Sequence, residues 1–180
     1  MPQRHWTFLN SRAVSDHRIF RIRHDSYRFG PSGLEQEFVV IESPSWVNVI
    51  PITADNRVVL IRQYRHGIQE VVLEIPGGVM EKGEAPEAAA ARELQEETGY
   101  VGEKLRLLGR VLPNPAIQNN YCYLFAAEGC RCVGAANPDP FEHIEVLERP
   151  LDDIPAMIRN GEIAHSMVIA AFGLLSLQQK

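Results

Sequence analysis

The chain has 180 residues, of which 45% are apolar and 23% charged, and a formal net charge of -5. That balance is the one expected of a globular protein large enough to bury a real core, and the acidic excess argues against a nucleic-acid surface, which would need a basic face. Three cysteines, Cys122, Cys130 and Cys132, are too few and odd in number for a disulfide scaffold.

Cys130-x-Cys132 has no second Cys/His pair at zinc-finger spacing, so both read as loop thiols. The N-terminus, Met1-Pro2-Gln3-Arg4-His5-Trp6, carries no apolar leader, and no apolar run is long enough to span a bilayer. A cytoplasmic protein with no membrane partner is the expectation.

In chain order, Arg18 to His24 and Ser26 to Phe29 read as two strands, closed by the turn Gly30-Pro31-Ser32-Gly33. Glu37 to Glu42 is a third, rich in β-branched residues, and Ser43-Pro44-Ser45 punctuates the chain. Residues 1–45 thus form a small antiparallel sheet. Its strands are too few to stand alone and must pack on the body of residues 46–180 or on a second subunit.

Trp46 to Thr53 and Arg57 to Gln63 are strands joined through Ala54-Asp55-Asn56, and Val71 to Ile75 is another. Arg62 and Arg65 are either ordinary edge-strand charges or phosphate contacts, since guanidinium is a planar fork suited to phosphate oxygens. Glu74 either pairs with an arginine or holds a substrate hydroxyl. Trp46 either joins the core or stacks on a base.

Pro86 suits a first helical turn, the Ala88 to Ala91 run propagates the helix, and Gly99 stands where a left-handed cap is wanted. Within that helix Glu93, Glu96 and Glu97 are spaced i, i+3 and i+4, toward the end where the macrodipole disfavours anions. Like-charge pairs at this spacing cost roughly 0.2–0.5 kcal/mol each. They make sense as a solvated acidic face or as oxygen ligands for a hard divalent cation.

Beyond the helix, Leu105 to Val111 is a strand and Pro113 to Asn120 a proline-punctuated loop. Tyr121 to Ala127 and Ile144 to Arg149 are further strands, Asp152 and Asp153 cap a short helix running to Asn160, and a largely apolar helix spans about Ser166 to Gln178. Mixed strands with helices around them predict an α/β fold, a layered α/β/α sandwich with a mixed sheet.

The spacing Gly78-x5-Glu84-x7-Arg92-Glu93-Leu94-x-Glu96-Glu97-x-Gly99 resembles the Nudix box, the motif of hydrolases acting on nucleoside diphosphates linked to another group. Tyr100 departs from the small aliphatic usual after the last glycine, which affects packing rather than chemistry. "RQYRHG" and "LEIPGG" ahead of the box, with Pro115 placed 15 residues after Tyr100, resemble the ADP-ribose and nucleotide-sugar pyrophosphatase branch.

The resemblance implies a homodimer formed through the N-terminal strands, by a domain swap, and a nucleoside diphosphate-linked small-molecule substrate. Magnesium, with manganese as a possible substitute, would be held by Glu93, Glu97 and the Gly77 carbonyl, with Glu96 joining in some members. Arg92 would orient the carboxylates through a salt bridge to Glu84. A glutamate after the box, Glu142 for preference over Glu145, would serve either as a ligand or as the general base, or else be a solvated loop residue. Pro115, Arg62, Arg65, Glu74 and Trp46 are the substrate-side positions.

Overall fold

The computed structural model describes residues 5–138 and 141–178. The chain divides into two compact units: one holds the chain up to Pro44 together with Leu112–Tyr121, the other Ser45–Val111 and the chain from Cys122 onward.

The first unit is a three-stranded antiparallel sheet of β1 (Trp6–Asp16), β2 (Arg21–Phe29) and β3 (Glu35–Glu42), in that order. It differs from the sequence expectation. A strand precedes Arg18, and Arg21–Phe29 is one strand rather than two pieces. The reason is physical: β1 carries irregularities between Phe8 and Asn10 and between Ala13 and Ser15 and is exposed along most of its length, so no clean alternation marks it. In β2 a polar residue at the centre, Asp25, looks like a break. It is buried instead, bonded by the Ser11 hydroxyl at 2.6 Å and by Arg23 Nε at 2.9 Å. Arg23 also bonds Glu42, so the buried carboxylate sits within a satisfied network. Within the same unit the Ile41 amide bonds the Ile117 carbonyl, which ties Leu112–Tyr121 to β3.

The second unit is an α/β/α sandwich on a mixed sheet. Its strands are β4 (Trp46–Thr53), β5 (Arg57–Arg65), β6 (Glu70–Glu74), β7 (Gly77–Val79), β8 (Tyr100–Val101), β9 (Lys104–Val111), β10 (Cys122–Cys132) and β11 (Ile144–Pro150). The sheet runs β11-β5-β4-β10-β8, with β6 beside β5, β7 beside β4 and β9 beside β10. β10 lies parallel to β4; the other pairings are antiparallel.

Alternation along β4 sorts the core. Val47 and Val49 face α1 (Pro86–Thr98), whose Ala89, Ala90 and Leu94 pack with Phe125 and Ala127. Ile50, with Leu60 and Leu124, faces the other layer, where Ile154 and Met157 of α2 (Ile154–Arg159) and Val168, Ala171 and Phe172 of α3 (Ser166–Gln178) close the second core. Alanines on the inner face of α1 let that helix lie close on the sheet. The segment before α2 begins as a 3-10 turn, Leu151–Asp153, and neither aspartate makes a side-chain cap bond. Among the described residues no helix is long and apolar enough to cross a membrane.

Candidate active site

The site is built where β7 delivers the chain to α1. Asn48 of β4 pairs with Gly77 and Val47 with Gly78, which presses the glycine strand against the sheet. A Cβ on Gly77 would lie 2.3 Å from the Val47 carbonyl oxygen, and one on Gly78 2.5 Å from Glu93 Oε1. At Gly77 the clash would be with backbone, so only glycine permits that approach; at Gly78 a side chain would displace the Glu93 carboxylate.

α1 starts at Pro86 with no side-chain cap and ends at Gly99, which is left-handed (φ 73°) and bonds its amide to the Gln95 carbonyl. Leu94, buried in the core, fixes the roll of the helix, and this places Glu93 and Glu97 on the side facing the glycine strand. The Gly77 amide donates to Glu97 Oε2 at 2.8 Å. Glu97 is 3% exposed, and burial pushes its pKa up to about 8 against that bond, with Glu93 and Glu142 adding to the rise. Burial also raises Glu93, opposed by Arg92.

Arg92 is the hub of the acidic helix. Its Nε and Nη2 hold both oxygens of Glu84 at 3.0 Å, its Nη1 reaches Glu93 at 2.8 Å and Glu96 at 3.0 Å, and Nη2 also donates to the Val79 carbonyl at 3.2 Å. Arg92 in turn holds the Glu84 carboxyl below its ordinary range.

Gly77, Arg92, Glu93, Glu96 and Glu97 line a cavity of about 430 Å³, together with Arg65, Gln63 and Glu142 from the β5 and β11 side. A void of this size lies within the range of small-molecule sites, roughly 300–1,000 Å³. Arg65 binds the buried Glu74 through two parallel bonds, Nε to Oε1 at 2.7 Å and Nη2 to Oε2 at 2.8 Å, and Glu74 raises its pKa. Of the two readings of Glu74, the arginine partner is the one observed.

The cavity thus gathers Glu93, Glu96, Glu97, Arg92, Arg65, Gly77 and Glu142. Arg62, one residue out of phase with Arg65, bonds Glu145 instead at 3.1 Å. Trp46 packs on the core cluster of the α3 side and does not line the cavity. Pro115 belongs to the first unit. Gln63, which the sequence reading passed over, stands at the cavity wall with its Nε2 donating to Glu142 Oε1 at 3.4 Å. Its period-2 relation to Arg65 was the available signal. Tyr100, the departure from the box pattern, donates its hydroxyl to Glu148 Oε1 at 2.7 Å and so ties the end of α1 to β11.

The donor set is all oxygen and short of positive charge, which fits a hard divalent cation. Arg92 already holds Glu84, and Arg65 already holds Glu74. Gln63 Oε1 is a further buried oxygen that no donor reaches among the described residues. Three Asp, Glu, His or Cys side chains do not already converge as a cation cage among those residues, since Arg92 draws Glu93 and Glu96 to itself.

A model of the NUDIX domain matches residues 43–172. This chain belongs to the Nudix family. As a Nudix hydrolase it is similar to the methanol dehydrogenase activator of Bacillus methanolicus, 31% identical over 172 residues, 95% of this chain and 92% of that one. It is also similar to the ADP-ribose pyrophosphatase of Bacillus subtilis, 29% identical over 83% of this chain and 81% of the relative. A crystal structure of an ADP compounds hydrolase shares the fold, with a TM-score of 0.86 at 22% identity over 99% of this chain and 96% of the other.

The buried carboxylate makes stability depend on pH. In the metal-free protein Glu97 holds its proton more tightly folded than unfolded, so stability is lost as pH rises from 4.5 toward about 8. Glu84 and Asp25, held low by Arg92 and Arg23, act in the opposite sense, below that window. Thermal melts of the metal-free wild type should fall across the window, and those of Glu97→Gln should stay closer to level. Parallel profiles would remove Glu97 as the buried proton holder.

Proposed function

We propose that this Nudix hydrolase cleaves the pyrophosphate bond of ADP-ribose or a related nucleoside diphosphate sugar, giving a nucleoside monophosphate and a sugar phosphate, with magnesium as its cation and manganese as a substitute. The observation that carries the reading is the buried Glu97 carboxylate, flanked by Glu93 and Glu142 in a cavity whose two arginines already have carboxylate partners.

Glu93, Glu97, Glu96, Glu142 and the Gly77 carbonyl would hold the cation, which when bound supplies charge neutralisation and an activated water. Arg92 orients Glu93 and Glu84 through the bonds described above. Arg65 is fixed by Glu74 along one edge, which leaves Nη1 for a phosphate oxygen. The Bacillus subtilis relative, named an ADP-ribose pyrophosphatase, supports the substrate class. GDP-sugars, FAD, NADH and oxidised deoxynucleotides are the rival substrates. The activator relative supports a second reading, in which the same fold acts on a partner enzyme. Three free thiols support a cytoplasmic location.

A homodimer formed through residues 1–45 belongs to the same proposal. The sheet of the first unit exposes an aromatic face in which Trp6 lies 4.7 Å from Phe29 and 5.4 Å from Phe38, with Trp6 48% and Phe8 54% exposed. A contiguous apolar patch of this kind favours a protein partner, here a second copy.

Two measurements test these statements. Turnover of a panel of nucleotide sugars, dinucleotides and oxidised deoxynucleotides should need magnesium and favour ADP-ribose, and Glu97→Gln should lower it sharply while leaving the fold intact. Turnover unaffected by Glu97→Gln, or a different preferred substrate, would overturn the mechanism or the substrate class respectively. In sedimentation the full chain should run as a dimer, whereas a chain starting at Trp46 should run as a monomer or unfold. A dimer that survives the truncation would remove the N-terminal strands from the interface.

A further inference from the structure

We propose that Gln63 is a positioning residue that sets the Glu142 carboxylate in the cavity, an inference that rests on the reading that Glu142 serves the reaction. The strand register supplies the geometry. Gln63 shares a face of β5 with Arg65 and pairs with Ile144, the first residue of β11, so its side chain stands beside the segment that carries Glu142. Glu142 stands two residues before Ile144, where the β5–β11 ladder begins. The Gln63 Nε2 donor reaches Glu142 Oε1 at 3.4 Å.

Packing alone does not call for an amide at this place. Gln63 is 8% exposed and its Oε1 has no donor among the described residues. A half-satisfied buried amide is destabilising, whereas an apolar side chain of the same length would fill the site without that cost. The chemistry explains the choice of amide. An arginine at this place would neutralise Glu142, and the cavity's arginines already do that for Glu84 and Glu74. A neutral donor orients a carboxylate and leaves its charge for a cation or a water.

The test uses the full-length protein. Gln63→Met keeps length and removes the donor; Gln63→Asn keeps the amide and withdraws it by one methylene. Each should lower kcat by about ten-fold, the order expected for one lost bond to a charged group, with KM little changed. The melting temperature of Gln63→Met should hold or rise. In the metal-free protein, amide exchange at residues 141–143 should quicken in both variants while the rest of the chain is unaltered. In a Glu142→Gln background Gln63→Met should cost nothing further.

Wild-type kcat in both variants would overturn the proposal. So would losses that multiply with Glu142→Gln, or a fall in kcat matched by a fall in melting temperature. Glu142→Gln tested alone separates the two levels: if it leaves turnover intact, the role of Glu142 fails whatever Gln63 does.

Discussion

A buried carboxylate with too little positive charge around it is the constraint on which the rest of this structure depends. Glu97 is almost wholly out of water, accepts one bond from a backbone amide, and shares its cavity with Glu93 and Glu142. Isolated buried charge is costly, so in the metal-free protein Glu97 keeps its proton well above the ordinary carboxylate range, and its ionised form needs a positive charge brought to the site. Arg65 offsets the Glu97 charge only in part, since Arg65 and Arg92 are each matched by a glutamate of their own. The site is left with surplus negative oxygen, which a divalent cation would offset and a nucleoside diphosphate would then share.

The scaffold serves that arrangement. Two glycines let β7 run against β4 and under the Glu93 carboxylate. The alanine face of α1 and buried Leu94 set the helix close enough for Glu97 to meet the Gly77 amide. On the opposite wall, β5 brings Arg65 and Gln63 to the cavity in phase, and β11 beside it carries the approach to Glu142. Tyr100 bonds Glu148, which in turn pairs with Arg57, so the end of the acidic helix, β11 and β5 are tied together away from the cavity.

The helix of the site was legible in the chain because its features are local. Proline at the start, alanines in the middle, glycine at the end and glutamates at i, i+3 and i+4 are all decided within one segment, and α1 spans Pro86–Thr98 as that pattern predicts. Tertiary features were not legible. Strands β4 and β10 are parallel neighbours far apart in sequence, and no local pattern names that pairing. β1 hid behind its irregular register and exposed faces, and Asp25 disguised the middle of β2. Trp46 could be read either way until the phase of β4 sent it to the α3 side with Ile50. Gln63 carries no charge to draw notice, and only the β5–β11 register shows what stands opposite it.

The most direct test of the central claim is a calorimetric titration of magnesium into the metal-free protein near neutral pH, run in two buffers of different ionisation enthalpy. With the Glu97 pKa pushed up to about 8, most of the population is protonated there, and cation binding must drive that proton off. Binding accompanied by proton release, with the release lost in Glu97→Gln, is the result the account predicts. Magnesium that fails to bind, or binds with no proton exchanged, would contradict it.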